Sequence, residues 1–238
     1  MRKCFFALLL FLCVLFASVA GMKNLQNKDR ENQAVAGMLA DRISDKTAFL
    51  TFDDGPSENT EEVLDILDKN HIKASFFLIG NQIAGREETV KREIEEEHSV
   101  GMHTFCHDAN VIYQNASTYL VDLEQVEALL KEQYHYETNI YRFPYGSKNQ
   151  YVRGFRQDIV DAMEQKGFHY VDWNVSGEDS IGRPSSSTIV ENVKKDSAGK
   201  DTVVILLHDS AINSETVRAL PEIIDYFRQN GYRFDVLR

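Results

Sequence analysis

Cysteine is scarce in this chain. Of three cysteines, Cys4 and Cys13 fall inside an N-terminal apolar run, which leaves Cys106 alone in the remainder and excludes an intrachain disulfide there. No cysteine follows the apolar run in the arrangement of a lipoprotein. Basic charge is also short: 26 Lys and Arg stand against 37 Asp and Glu, a formal net charge of −11. That balance argues against a nucleic-acid partner. There is no internal repeat, no low-complexity stretch and no His-Glu-x-x-His, so a zinc protease of that type is disfavoured. Trp173 is the single tryptophan.

Met1-Arg2-Lys3 precedes the apolar run 4–20, and Ser18-Val19-Ala20 offers small residues for cleavage. Residues 1–20 read as a signal peptide, with an uncleaved membrane anchor through residues 4–20 as the alternative. Either way the bulk of the chain is expected to be exported, secreted or held at the outer face of the cytoplasmic membrane. Residues 21–46 are polar and read as a linker or stalk, with a short helix over 33–43. Residues 47–238 are expected to form one domain, held by its own core and acting as a monomer.

From Thr47 onward, apolar strand-like runs alternate with helical patterns. Strands are expected at 48–50, 74–79, 99–102, 139–143, 168–173, 202–207 and 233–236. The intervening helices carry stripes such as Val63, Leu64 and Leu67, or Val90 and Ile94. Asn59 with Glu62 resembles a capping box, and Ser117 stands as the cap of a helix reaching about residue 133. The alternation predicts parallel βα units, and the runs Phe76-Phe77-Leu78-Ile79 and Val203-Val204-Ile205-Leu206-Leu207 suit strands covered on both faces. A barrel, irregular or incomplete, is preferred over an open sheet.

Polar and titratable groups gather just after these strands: Asp53 and Asp54, His103, Arg142, Asp172, and His208 with Asp209. In parallel barrels the active site is built at the C-terminal strand ends, so these groups are expected to share a cleft. An isolated Asp-Asp is most often a solvated turn, and adjacent strand residues point to opposite faces. At a strand end, however, both carboxylates could reach one cleft. His103 and His107 stand four apart, which on a helical turn puts both imidazoles on one face. They read either as surface or capping histidines or, with an aspartate from a neighbouring strand end, as a metal set with open positions. Cys106 between them reads as a small buried residue. Arg142 could clamp a carboxylate or serve a structural ion pair. Asp172 precedes Trp173, either a core tryptophan or part of a cleft. His208 ends the most apolar strand, where it could deliver a proton.

In order, Thr-Phe-Asp-Asp-Gly-Pro at 51–56, His-Thr-x-x-His at 103–107, Arg-x-Pro-Tyr at 142–145, Asp-Trp at 172–173 and Leu-x-His at 206–208 resemble the five motifs of the polysaccharide deacetylases of carbohydrate esterase family 4. The resemblance runs from Thr47 to the C-terminus. It implies an α/β fold, a distorted, incomplete (β/α)7-type barrel, and a set of roles. Asp53 matches the catalytic base, and Asp54, His103 and His107 match the metal ligands. Arg142 matches the residue that orients the base. Tyr145 matches the position whose backbone N–H holds the oxyanion. Asp172 matches the partner of the catalytic histidine, Trp173 a pocket wall, Leu206 the acetyl-pocket lining and His208 the general acid. Two positions depart from the family pattern. Glu97-His98 stands where a glycine is common before the metal motif, and His169 stands where an acid usually lies three residues before the Asp-Trp aspartate.

The expected activity is metal-dependent removal of N-acetyl groups from an N-acetylglucosamine polysaccharide, cell-wall peptidoglycan first, with release of acetate. Zinc is the first choice of metal, with cobalt, nickel or manganese as alternatives. Chitooligosaccharide deacetylation, acetylxylan ester hydrolysis and a non-catalytic glycan-binding module are the competing readings. A glycosidase is disfavoured, because adjacent carboxylates do not straddle a glycosidic bond.

Overall fold

The computed structural model describes residues 46–238. The expected signal peptide or anchor, the linker and the helix at 33–43 lie outside the described residues. Among the described residues, eight strands and seven α-helices follow in order: β1 (Thr47–Gly55), α1 (Glu58–Lys69), β2 (Ser75–Leu78), α2 (Glu87–Glu95), β3 (Ser99–Met102), α3 (Ala109–Ile112), α4 (Ala116–Tyr134), β4 (Ile140–Tyr141), α5 (Arg156–Gln165), β5 (His169–Tyr170), β6 (Val175–Ser176), α6 (Ser186–Ser197), β7 (Thr202–His208), α7 (Ser214–Gln229) and β8 (Arg233–Phe234). All the pairings are parallel, in the order β5-β4-β3-β2-β1-β7-β6, with β8 joining the start of β1. No helix among the described residues is long and apolar enough to cross a membrane.

Chain length forces this sheet to curl. β5 and β6 lie at opposite ends of the strand order, yet only residues 171–174 separate them. Laid flat, seven strands would put the outer two about 29 Å apart at about 4.8 Å per step. Five extended residue steps from Tyr170 to Val175 reach only about 18 Å. The two edges must therefore approach each other, with Val171–Asn174 strung across the gap. This is the expected incomplete (β/α)7-type barrel. Its central strand β1 is buried along nearly all of its length, as is β2. Phe52 and Phe76 stack at 5.3 Å within the core. Leu50, Leu64, Leu67, Phe227 and Ile224 pack into the same cluster.

Local signals needed correction in three places. The first helix is capped by Ser57 with Thr60 in a reciprocal box, not by Asn59 with Glu62. Asn59 is already inside the helix, and the cis Gly55–Pro56 turn delivers Ser57 to the N-cap position. Asn115 with Thr118, rather than Ser117, caps α4. The strand expected at 168–173 is paired only at residues 169–170, as β5, and an unexpected short strand, β6, follows at 175–176 on the opposite edge of the sheet. Periodicity cannot reveal a chain that leaves one edge and joins the other.

Glu93 on α2 is fully buried, and neither of its carboxyl oxygens has a hydrogen-bond partner among the described residues. Burial, reinforced by the charges of Asp209 and Glu61, pushes its carboxyl well above the usual range. The folded chain thus holds this proton more tightly than the unfolded chain. Its contribution is retained below the unfolded pKa and lost as pH rises toward the folded one. Glu93→Gln keeps the shape of the neutral acid. Thermal unfolding should show the variant close to wild type near about pH 5 and more stable near about pH 8, by on the order of 1–3 kcal/mol. A stability gap that does not change with pH would contradict this assignment.

Candidate active site

β1 carries two adjacent carboxylates into one cleft because its backbone breaks register there. Pairing with β2 shifts between Asp53 and Gly55, and Asp54 takes a left-handed φ of 71°. This bulge cancels the alternation that would send Asp54 to the opposite face. Asp53 Oδ1 accepts a 2.8 Å bond from Arg142 Nη1. Arg142 is fully buried, and its Nη1 and Nε also donate to Thr51 Oγ1 and to Val171 O, each at 2.8 Å. Its guanidinium lies 4.1 Å from the Phe77 ring centroid.

His103 and His107 do not lie on a helix. They flank an irregular loop in which Thr104 and His107 both have positive φ. The loop is tied down by Gly80 N donating to Thr104 O and by Phe105 N donating to Asp122 Oδ1. A Cβ on Gly80 would stand 2.4 Å from the Phe105 ring, so only glycine admits this approach. The loop brings the imidazoles to a ring separation of 5.1 Å. Their Nε2 atoms lie 3.5 Å (His103) and 3.3 Å (His107) from Asp54 Oδ1.

One ligand atom from each of Asp54, His103 and His107 falls within 4.8 Å of the other two, a set that could hold a metal ion. Two features fit that use. Asp54 Oδ1 is buried without a hydrogen-bond partner among the described residues. His103 Nδ1 lies 2.9 Å from Arg142 O, which fixes the proton there and leaves the Nε2 lone pair facing Asp54. Burial pushes His103 down to about 4, even against the pull of Asp53 and Asp54, so its imidazole is neutral as ligation requires. Cys106 is partly buried and is not part of this group.

Opposite stands His208, the last residue of β7, paired in register with Asp53. Its partner is Asp179, not the expected Asp172. His208 Nδ1 lies 2.8 Å from Asp179 Oδ1, and the His208 backbone N–H donates to Asp179 Oδ2 at 2.7 Å. Thr216 Oγ1 and Asn213 Nδ2 complete the cradle of Asp179. Burial alone would lower the His208 pKa. The Asp179 bond and charge, with Asp53 and Asp54, outweigh it and raise the pKa to about 9. Asp172 instead accepts from the Ser147 backbone N–H and hydroxyl, at 3.0 and 2.6 Å, and so braces the turn after Tyr145. Both aspartates follow short strands, but the unrecognised β6 concealed the strand end that carries Asp179. A carboxylate three residues beyond a strand end was the signal available.

A cavity of ≈ 410 Å³ joins these groups. It is lined by Asp53, Asp54, His103, His107 and His208 together with Tyr145, Trp173, Leu206, Glu178 and Ile181. The Pro144–Gly146 turn is tight: Tyr145 has φ 66°, and a Cβ on Gly146 would stand 2.9 Å from Trp173. Behind the site Asp209 is fully buried. Thr60 Oγ1 donates to its side chain and Ser57 Oγ to its carbonyl, tying the end of β7 to the start of α1.

The His208 assignment can be checked by imidazole NMR. In Asp179→Asn the His208 pKa should drop from about 9 to below the ordinary histidine value, because burial is then unopposed by a bonded anion. Asp172→Asn should leave it near wild type. The reverse pattern would return the pairing to Asp172.

A sequence model described as "Polysaccharide deacetylase" matches residues 40–171. The chain is 34% identical over 200 residues to the putative polysaccharide deacetylase YheN of Bacillus subtilis (strain 168), covering 82% of this chain and 68% of that protein. It is 34% identical over 195 residues to a peptidoglycan-N-acetylglucosamine deacetylase of Bacillus cereus, covering 80% of this chain and 68% of the relative. Among solved structures, the catalytic domain of a peptidoglycan N-acetylglucosamine deacetylase from Eubacterium rectale superposes with TM-score 0.76 at 34% identity, over 81% of this chain and 89% of the other. A Streptococcus mutans CE4 esterase superposes with TM-score 0.75 at 28% identity, over 81% and 86%. The chain belongs to the polysaccharide deacetylase family.

Proposed function

We propose that this chain hydrolyses the N-acetyl groups of N-acetylglucosamine residues in cell-wall peptidoglycan, releasing acetate and leaving free amino sugars. The observation that carries the reading is the meeting, in one cavity, of an arginine-held carboxylate, a two-histidine and aspartate set, and a histidine held protonated by a buried aspartate. The relatives named for that polymer support the choice of substrate. A binding module that had lost catalysis would not need all three of these groups.

Asp53, Asp54, His103, His107, Arg142 and His208 take the following roles. Asp54, His103 and His107 would hold a divalent ion, zinc first by its preference for this donor set. When bound, the ion supplies Lewis acidity to the acetyl carbonyl and its attacking water. Arg142 fixes Asp53 through Oδ1, which leaves Oδ2 to take a proton from that water. Tyr145 sits on a turn whose backbone N–H would donate to the developing oxyanion. With its pKa raised to about 9, His208 is protonated at neutral pH and can pass its proton to the departing amine nitrogen. Leu206 and Trp173 give the acetyl group an apolar wall. The apolar segment 4–20 supports export, with hydrolysis outside the cytoplasmic membrane.

Acetate release from cell-wall peptidoglycan and from N-acetylglucosamine oligomers, measured with and without a chelator and after zinc is restored, tests the reading. Release should vanish on chelation and return with metal. Asp53→Asn should retain its metal by elemental analysis while kcat falls by about 10²–10⁴-fold. Activity should decline as pH rises through about 9, where His208 loses its proton, and that limb should move to lower pH in Asp179→Asn. Near-normal turnover in metal-loaded Asp53→Asn would remove Asp53 from the role of base. Release from acetylxylan alone would move the reading to ester hydrolysis.

A further inference from the structure

The large hydrophobic side chains left exposed are few, and several of them cluster around the cavity. Tyr145 and Ile181, 55% and 69% exposed, line it. Tyr151, 47% exposed, stands next to Tyr145 with 6.0 Å between ring centroids. The roles proposed above use Tyr145 but leave Tyr151 without one.

Tyr151 is held in place with unusual thoroughness for a half-exposed loop residue. Its ring lies parallel to Tyr113, 6.2 Å away and tilted by only 1°. Tyr113 in turn stacks on Tyr119 at 5.6 Å, and Tyr119 on Phe143 at 5.1 Å, so the column reaches the core. Asn149 fastens the backbone: its Oδ1 accepts from the N–H groups of Tyr151 and Val152, and its Nδ2 donates to Pro144 O and Gly146 O. One side chain therefore couples the segment bearing Tyr151 to the turn bearing Tyr145. Tyr113 donates to Pro144 O as well. The ring is ordered before any ligand arrives, which spares the entropy of ordering it on binding.

A backed aromatic ring with an exposed side, beside a tyrosine that lines the reaction cavity, suits the apolar C–H face of a pyranose while its hydroxyl can reach the sugar's polar rim. We propose that Tyr151 is a stacking platform for the sugar next to the one being deacetylated, so that the site recognises a stretch of polysaccharide rather than a single acetylated sugar. This inference rests on the deacetylase reading above and adds a residue that sets the length of glycan the site prefers.

Steady-state acetate release from the N-acetylglucosamine monosaccharide and its pentasaccharide, compared in wild type, Tyr151→Ala and Tyr151→Trp, provides the test. Tyr151→Ala should lose about ten-fold in kcat/KM on the pentasaccharide, chiefly through KM, and change by less than about two-fold on the monosaccharide, which has no neighbouring sugar to stack. Tyr151→Trp should keep the pentasaccharide preference. A merely structural tyrosine would lower activity on both substrates alike, so equal losses overturn the proposal, as does no loss on either. If wild type releases no acetate from either substrate, the choice of reaction fails separately from the platform. Fluorescence of Trp173, the single tryptophan, then follows pentasaccharide binding directly. Weaker binding in Tyr151→Ala supports the platform. Unchanged affinity, or no binding to wild type, overturns it.

Discussion

Arg142 is the charge on which the site is hung. Its guanidinium has no access to solvent, and it reaches from the end of β4 to Thr51 and Asp53 on β1 and to Val171 on the segment bridging the two sheet edges. Removing one member of a buried pair leaves an uncompensated charge, at a cost of about 3–5 kcal/mol, so Asp53 and Arg142 hold each other in place. The same residue's carbonyl orients His103 through Nδ1. A single side chain and its backbone thus set the rotamer of one carboxylate and the tautomer of one imidazole. They also anchor the strip of chain that closes the barrel.

Across the cavity a second buried pair faces the first. Asp179 holds His208 in its charged form, and Asp179 is itself held by Thr216 and Asn213 at the start of α7. His103 and His208 are driven in opposite directions. Burial dominates at His103, which is pushed down to about 4, while a directly bonded carboxylate dominates at His208, which is raised to about 9. One fold thereby holds a neutral imidazole and an imidazolium around one cavity at the same pH. Asp209, next in sequence to His208, links β7 to α1 through Thr60 and Ser57 and fits only because Gly55 has no side chain.

Much of this was legible before any coordinates. Long apolar runs such as 202–207 and the helical stripes announced parallel βα units, because burial on both faces leaves a compositional mark. The two-residue strands left little such mark. β5 and β6 hold two residues each; β5 lies inside the strand expected at 168–173, and β6, just past it, has no expected counterpart. Asp172 as the partner of His208 followed from the family resemblance, and no recognised strand end pointed to Asp179. Asp172 belongs to the Asp-Trp motif, whereas Asp179 follows a strand too short to show a pattern. Glu97 is a smaller instance. It takes φ 63° at the position where the family pattern commonly has glycine, a backbone demand that composition alone does not display.

The amino-acid sequence by itself determined the class of fold, the family and the residue types at the strand ends, because those follow from periodicity and from local motifs. Tertiary structure alone decided which of those residues meet. The bulge with φ 71° at Asp54 turns two neighbouring carboxylates onto one cleft. A four-residue bridge too short to span a flat sheet brings the edges together. The choice of Asp179 over Asp172 depends on where β6 joins the sheet beside β7. Each is a through-space relation between segments distant along the chain or a backbone conformation imposed by packing, and no window of sequence contains either.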